Sequence, residues 1–318
     1  MIKSIFIPLL FLALIEGTFR LVENHQQKSE HNFTKGKVID DIAKVMRPTV
    51  HPSQGFTLLP HLRATFLDKE FSSNSLGYRD REFIKKKAKD IFRIIGIGDS
   101  VMMGWGVSDK ETFLRQLEEE LPRCQGKKVE TLNFAIAGQS AIQEAYVLEE
   151  ALKYNPDFVL INYVGNDWIN EAQPRKKPQF MGPSHALNFL INAPQGLPWH
   201  SFQKSTLPPI DSLPRAYQEM AGLLKDKKSL IFMDSRYESE ITSHQKAAQL
   251  FSRLGLQSIN SLEEWNPEAK SLTGQEAVTR EAEFNRLYLI PNDWHPNALW
   301  HKRVAKRLAR SLRKNYCR

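Results

Sequence analysis

The feature that most constrains this chain is an apolar run that stops abruptly at a glycine and a serine. Residues 91–97 are rich in isoleucine, typical of a β-strand buried on both faces, and the run ends at Gly98-Asp99-Ser100. Residues 111–121 then place apolar side chains at helical spacing. The pattern predicts a strand, a tight turn and a helix. Ser100 would sit where a rigid sheet holds a side chain that still faces solvent, as a nucleophile requires.

Strand-like and helix-like segments alternate along the rest of the chain, which predicts a parallel sheet with helices on both faces. The further predicted strands are residues 129–137, 157–164, 229–234 and 256–259. The further predicted helices are residues 141–154, 212–225, 239–254 and 298–314. In the last helix, the spacing predicts a buried stripe opposite a basic face. The stripe consists of Leu299, Val304, Leu308 and Leu312.

The N-terminal residues 1–22 carry the strongest targeting feature. Lys3 precedes a run of twelve mostly apolar residues, 4–15, which is typical of a signal-peptide core and short for a membrane span. A retained membrane anchor is our first interpretation, a cleaved signal peptide the second, and a core helix of a cytoplasmic protein the third. The first two place the main domain outside the cytoplasm, membrane-anchored or secreted.

Three further segments precede or interrupt the alternation. Residues 23–50 are polar and charged, which predicts a linker with a short helix at 38–46. Residues 51–89 contain Pro and Gly turn signals and predict an irregular, β-rich lead-in to a main domain at 90–318. Residues 168–210 contain seven prolines and follow a predicted strand end, so we expect an insertion that overhangs the strand ends.

Charge and cysteine content limit the classes of partner and site. The formal net charge of +8 favours acidic partners, such as a membrane surface, an acidic glycan or nucleic acid. No base-stacking aromatic pattern accompanies the basic last helix, so nucleic acid is not expected. For the basic face of the last helix two interpretations stay open: a face that is simply solvated, and a face that contacts anionic lipid or glycan. Cys124 and Cys317 lack C-x-x-C spacing, which disfavours zinc and thioredoxin-type sites and leaves a disulfide between them open.

Four short polar groups follow predicted strands or precede the last helix. They are Gly98-Asp99-Ser100, Ala137-Gly138-Gln139, Gly165-Asn166-Asp167 and Asp293-Trp294-His295-Pro296. Ligands of an open parallel sheet bind at the carboxyl ends of its strands, so we expect these groups to meet there. Together they supply the parts of acyl transfer. A serine attacks, a histidine takes its proton, an acid orients the histidine, and N–H groups with an amide stabilise the oxyanion.

In these four groups the chain resembles the GDSL/SGNH hydrolases, a superfamily of serine esterases on a flavodoxin-like sheet. Ser100, Gly138, Asn166 and His295 match the four family blocks in order and spacing, and the resemblance covers about residues 74–312. It implies a three-layer α/β fold with a parallel sheet of about five strands flanked by helices. Residues that precede and follow the first block are also similar to those of membrane-anchored bacterial members. These are residues 74–79 and 104–113.

The resemblance also implies a role for each matching residue. Ser100 would be the nucleophile, and His295 the general base and then the general acid. The oxyanion hole would consist of the N–H groups of Ser100 and Gly138 and the side-chain amide of Asn166. Asp293 would orient His295. The resemblance implies no metal and no cofactor.

The chain departs from the family pattern at three positions. The family acid usually stands three residues before the histidine, where this chain has Asn292, and Asp293 stands two residues before it. Val164 occupies the place of the usual glycine in the third block, and the first block ends in Val101 instead of leucine. Of these, the spacing of Asp293 bears most on the chemistry, because a backbone carbonyl could orient His295 instead.

The expected reaction is ester hydrolysis through an acyl-enzyme on Ser100. Given an anchor that places the domain outside the cytoplasm, the expected substrates are acyl esters, O-acetyl esters among them, of envelope glycans or lipids. Two alternatives stay open: acyl transfer to a sugar hydroxyl, and a non-catalytic glycan-binding envelope protein on the same fold. A nucleotide-binding module is disfavoured, because Val101 stands where a dinucleotide motif needs its third glycine and no Walker loop is present.

Overall fold

The computed structural model of this chain describes residues 37–49, 54–164, 212–234, 241–261, 283, 285–293 and 295–318. The predicted N-terminal anchor and the predicted insertion at 168–210 both lie outside these residues. Within the described ranges, no helix combines the length and the apolar character that a membrane span requires.

The described elements alternate over the second half of the chain as the sequence predicts. The strands are β1 (Lys37–Ile39), β2 (Met46–Pro48), β3 (Phe56–Leu58), β4 (Arg63–Phe66), β5 (Lys69–Ser72), β6 (Ile91–Ile97), β7 (Arg123–Cys124), β8 (Lys127–Asn133), β9 (Phe158–Val164), β10 (Ser229–Asp234) and β11 (Ser258–Asn260). The helices are α1 (Ser100–Met103), α2 (Phe113–Glu120), α3 (Ala141–Leu152), α4 (Ser212–Leu223), α5 (Ile241–Arg253) and α6 (Ala298–Asn315).

The main sheet confirms the predicted fold class. Its strand order is β11-β10-β9-β6-β8-β7, with parallel pairing except for β7, which runs antiparallel to β8. Counted along the chain, the five parallel strands lie in the order 2-1-3-4-5, which is the flavodoxin-like arrangement. The two-residue β7 adds an edge strand to the five that the sequence predicts. Every residue of β9 is buried, as expected for a parallel strand covered on both faces.

The central strand β6 sets the position of the segments on either side of it. It pairs with β8 from Ile91↔Lys128 and with β9 from Ile94↔Phe158, so the carboxyl ends of all three strands meet at one edge. The sequence predicts that β8 extends to residue 137, whereas the strand ends at Asn133. Beyond Asn133 the chain still runs beside β6. The N–H of Phe134 bonds to the Gly96 carbonyl in β6, and the N–H of Ile136 bonds to the Gly98 carbonyl in the turn after it.

The lead-in begins earlier than the sequence predicts. Residues 37–49 were expected to belong to a linker with a helix at 38–46, but β1 pairs with β4 and β2 pairs with β3. Between these strands there is only one short 3₁₀ turn, Ile42–Val45. Strand pairing with the lead-in outweighs the local helical pattern. Three side chains of this region are also buried in the core. They are Ile39, Ile42 and Val45.

The terminal helix α6 packs on α2 through a stripe that differs by one residue from the prediction. Val304, Leu308 and Leu312 are buried as predicted, whereas Leu299 is 52% exposed. Trp300 is fully buried and lies four residues before Val304, so it completes the stripe at a spacing of four residues. The fully buried imidazole of His301 accepts a hydrogen bond from the N–H of Phe113 at the start of α2.

A disulfide between Cys124 and Cys317 ties the end of the chain to the edge of the sheet. Cys124 lies in β7, and Cys317 follows α6. The Tyr316 carbonyl also accepts a hydrogen bond from the Gln125 side chain, so the disulfide lies within a larger contact between these two segments. The sequence left this pairing open, and the structure contains it.

We expect replacement of both cysteines by serine to lower the free energy of unfolding by about 2–5 kcal/mol, because the unfolded chain regains the freedom that the cross-link removes. Guanidinium titrations of the oxidised wild type, the reduced wild type and the double variant measure this change. The reduced wild type should unfold close to the double variant. Equal midpoints for all three samples would show that the cross-link does not contribute to stability.

Candidate active site

Ser100 lies at the carboxyl end of the central strand, in a turn shaped by the two residues before it, Gly98 and Asp99. A Cβ added to Gly98 would lie 3.0 Å from Met102 Cβ and 3.1 Å from Asn162 Cβ, so a larger residue would crowd the turn. The side chain of Asp99 accepts a 3.0 Å hydrogen bond from the N–H of Val101 and caps α1. Asp99 therefore braces the turn.

The structure brings Ser100, His295 and Asp293 into one line of contacts. Ser100 Oγ lies 2.9 Å from His295 Nε2, and His295 Nδ1 lies 2.6 Å from Asp293 Oδ1. Because a carboxylate only accepts, the proton of a neutral imidazole lies on Nδ1, and Nε2 is free to accept the serine proton. Ser100 Oγ is also 3.4 Å from Asp99 Oδ2, which is the longer of its two contacts.

A tight turn explains how Asp293 reaches the ring from only two residues away. Asp293 Oδ1 also accepts the backbone N–H of His295 at 2.9 Å, which folds the carboxylate back over its own chain. The turn is closed by the Asp293 N–H to the Ile290 carbonyl and by the Ile290 N–H to the His295 carbonyl, each at 3.0 Å. Asn292, at the usual family position of the acid, adopts a φ of 60° within this turn.

Trp105 is a site residue that the sequence reasoning did not single out. Its indole Nε1 donates a 3.0 Å hydrogen bond to Asp293 Oδ2, and its ring stacks on the imidazole of His295 at 4.5 Å with an interplanar angle of 14°. The available signal was its place, five residues after the serine and between Gly104 and Gly106. The contact with Asp293 joins residues 188 positions apart, which no local pattern reveals.

The environment of Asp293 favours its charged form. Burial raises the pKa of this carboxyl, but donation by the backbone and ring of His295 and by the indole of Trp105 outweighs burial and holds the pKa below its ordinary value. An ionised Asp293 accepts from Nδ1 and stabilises an imidazolium next to it. The three residues therefore have the geometry and the charge for proton transfer from a serine hydroxyl.

The backbone places Gly138 beside the turn that carries Ser100. The N–H groups of Phe134 and Ile136 bond to the carbonyls of Gly96 and Gly98, which holds this segment along the end of β6. Gly138 has a φ of 76°, and a Cβ added to it would meet no described atom within 4 Å. The N–H of Ser100 lies at the start of α1, where helical N–H groups have no partner within the helix. Both predicted backbone donors are thus at the same sheet edge.

The remaining predicted site residue, Asn166, lies outside the described residues. An open cleft of about 830 Å³ adjoins the His295 side of the site. Its lining includes Trp105, Arg286, Ile290, Asn292, Asp293 and His295. Among the described residues, no group of His, Cys, Asp or Glu side chains is arranged to hold a metal ion.

The comparison with family models agrees with this geometry. Residues 94–308 match the model of the GDSL-like lipase/acylhydrolase family, which is more than half of the chain and contains all four predicted blocks. The chain belongs to this family. It is therefore a hydrolase that acts on ester bonds.

Among solved structures, this GDSL hydrolase is similar to a two-domain esterase active on acetylated mannans, with 16% identity and a TM-score of 0.44, covering 70% of this chain and 49% of that one. It is also similar to a putative lipolytic protein of the G-D-S-L family from Desulfitobacterium hafniense, with 14% identity and a TM-score of 0.43, covering 69% and 98%. It is similar as well to TesA, with 13% identity and a TM-score of 0.44, covering 70% of this chain and 98% of that one. No curated protein matches the sequence.

Gly138 offers a sharp test of the predicted oxyanion hole. We expect Gly138→Ala to lower the free energy of unfolding by about 1–2 kcal/mol, because alanine is disfavoured at positive φ. We also expect it to lower kcat about tenfold or more, because the new methyl projects next to the N–H that would bind the oxyanion. Chemical denaturation and ester hydrolysis measure the two effects.

Gly126→Ala is the matched control. Gly126 also has a φ of 76° and open space at Cβ, but it precedes β8 at the opposite end from Gly138. The Gly126→Ala variant should lose a similar free energy of unfolding and keep the kcat of the wild type. Equal kcat values for the two variants would contradict a role for Gly138 in the site.

Proposed function

We propose that the protein is a serine esterase that forms an acyl-enzyme on Ser100 and removes acyl groups, O-acetyl groups among them, from glycans or lipids of a cell envelope. The observation that carries the proposal is the unbroken set of contacts from Ser100 Oγ through His295 to Asp293, at 2.9 Å and 2.6 Å. These are the contacts that an activated serine requires.

The first half of the reaction transfers the acyl group to the enzyme. Ser100 Oγ attacks the ester carbonyl, and His295 Nε2 takes the hydroxyl proton. The oxyanion of the tetrahedral intermediate accepts hydrogen bonds from the N–H groups of Ser100 and Gly138, with the Asn166 amide as the proposed third donor. When the C–O bond breaks, His295 returns the proton to the leaving alcohol and Ser100 carries the acyl group.

The second half releases the acid. A water molecule attacks the acyl-Ser100 carbonyl while His295 takes one of its protons, and collapse of the second tetrahedral intermediate returns a proton to Ser100 Oγ. Asp293 stays ionised throughout and holds the ring through Nδ1. No step needs a metal or a redox partner from outside these residues.

Two observations support a location outside the cytoplasm. The disulfide between Cys124 and Cys317 is a bond that persists in oxidising compartments and is rare in the cytosol. The apolar run at residues 4–15 is the targeting feature of the sequence, with membrane anchorage as the proposed outcome. Envelope glycans and lipids are the ester-bearing molecules that a hydrolase in this location meets.

The unusual spacing of Asp293 is the sequence feature that favours a non-catalytic glycan-binding protein on the same fold. Asp293 Oδ1 lies 2.6 Å from the ring of His295, which supports the enzyme instead. Acyl transfer to a sugar hydroxyl uses the same acyl-enzyme and differs only in the acceptor. The product of the second half-reaction therefore distinguishes transfer from hydrolysis.

We expect a fluorophosphonate probe to label the full-length protein on Ser100. Ser100→Ala should abolish labelling, and His295→Ala should reduce it by about a thousandfold or more. Asp293→Asn should reduce kcat by about a hundredfold to ten-thousandfold, because it disturbs the tautomer of His295. Gel fluorescence, the mass of the labelled peptide and the kinetics of ester hydrolysis measure these effects.

Ser252→Ala, at an exposed position of α5, is the control for these variants and should label like the wild type. Acetylated polysaccharide, phospholipid and p-nitrophenyl esters of increasing acyl length define the substrate, and an added sugar acceptor tests transfer. A folded wild type that neither labels nor releases acid from any ester would refute the proposal.

A further inference from the structure

We propose that the lead-in is part of the catalytic apparatus and that Arg79 is its positioning residue, which holds Trp105 against Asp293 and His295 by clamping the loop that carries Trp105. Trp105 is the only described side chain that both stacks on His295 and bonds to Asp293. The position of its ring depends on the loop between α1 and α2, and this loop touches the lead-in along its length.

The guanidinium of Arg79 lies inside the protein between the lead-in and this loop. Its side chain is 1% exposed, and its Nε forms an ion pair with Asp109 Oδ1 at 2.9 Å. Nη1 donates to the carbonyl of Gly104, and Nη2 donates to the carbonyl of Val107. The guanidinium is therefore bonded to the chain on both sides of Trp105 in the sequence, at Gly104 and at Val107.

Arg79 is itself held on the lead-in side. Nη2 also donates to the carbonyl of Glu70 at 3.2 Å, and the guanidinium lies over the ring of Phe71 at 4.5 Å. Both residues belong to β5. A guanidinium has five donors in a fixed planar fork, whereas an ammonium has three donors on one nitrogen, so lysine cannot reproduce the whole set of bonds to Asp109 and to carbonyls of both segments.

The loop needs such a clamp because its own backbone is permissive. Gly104 has a φ of 88° and Gly106 a φ of 67°, so glycines in the left-handed region flank Trp105. Glycine restricts the chain less than any other residue, and a loop with two glycines around a tryptophan has many accessible ring positions. Contacts from elsewhere must select the position that meets His295.

The hairpin between β4 and β5 supplies two further contacts from the lead-in. The ring of Phe66 packs edge-on against Trp105, with centroids 4.8 Å apart and planes at 89°. At the hairpin tip, Leu67 lies close to Gly106, and Ile290 from the turn that carries Asp293 lies close to the same glycine. The hairpin thus contacts the loop at Trp105 itself and at the glycine that follows it.

Arg79→Lys tests this proposal, and Arg93→Lys is its matched control. Arg93 is also 1% exposed, with its Nε 2.7 Å from Glu130 Oε2 and its Nη1 2.7 Å from the Tyr154 carbonyl. It lies near the start of β6, at the opposite end of the strand from the turn that carries Ser100. Each variant keeps a buried positive charge and loses the planar fork, so both should lower the melting temperature.

Two readouts separate positioning from mere stability. The indole ¹H–¹⁵N resonance of Trp105, assigned with Trp105→Phe, reports its bond to Asp293 whether or not the protein is active. Arg79→Lys should shift this resonance and speed its hydrogen exchange, and should lower kcat about tenfold to a hundredfold with KM within about twofold. Arg93→Lys should leave the resonance and kcat unchanged. In a Trp105→Phe background, Arg79→Lys should cause little further loss of kcat.

The kinetic readout rests on the proposed function, whereas the resonance does not. A wild type that fails to label, with an indole resonance that still shifts in Arg79→Lys, would refute the proposed function and leave the clamp in place. An unchanged resonance and an unchanged labelling rate in Arg79→Lys would overturn the clamp. Equal effects of Arg79→Lys and Arg93→Lys on both readouts would also overturn it, because they would indicate general destabilisation.

Discussion

The site depends on one carboxylate that accepts three N–H groups. Asp293 Oδ1 accepts the backbone N–H of His295 and lies 2.6 Å from its ring nitrogen, while Oδ2 accepts the indole of Trp105. A carboxylate bound at both oxygens cannot rotate away, and each bond also favours its charged form. Through this group, the turn before α6 and the loop after α1 are held in a single arrangement around the ring that faces Ser100.

The two halves of this arrangement come from opposite ends of the hydrolase domain, and the fold brings them together. The sheet presents Ser100 at the end of its central strand. The terminal helix presents His295, because α6 packs on α2 through a buried stripe that starts at Trp300, and because His301 accepts from the N–H of Phe113. A shift of about 1 Å between such groups would weaken proton transfer, so core packing is a condition of the chemistry.

Much of the fold follows from local patterns, and the exceptions have physical causes. The apolar runs predict the strands of the main sheet to within a few residues, because buried parallel strands need continuous apolar sequence. The prediction of a linker at residues 37–49 is wrong, because strands of only three residues are too short to show a clear hydrophobic period. Leu299 was predicted in the buried stripe in place of Trp300, an error of one residue that the packing partner decides.

The available chemistry can be read from the sequence alone: a serine at the end of a buried strand, a glycine beyond the next strand, and an aspartate and a histidine just before the last helix. Residue types and apolar runs are local properties, so they need no knowledge of the packing. The folded chain adds what the sequence does not show: Asp293 reaches the ring of His295 from two residues away, Trp105 bonds to Asp293, and Arg79 bonds to the loop that carries Trp105. The first contact depends on the tight turn at residues 290–295. The other two depend on distances between segments far apart in the chain, and packing sets those distances.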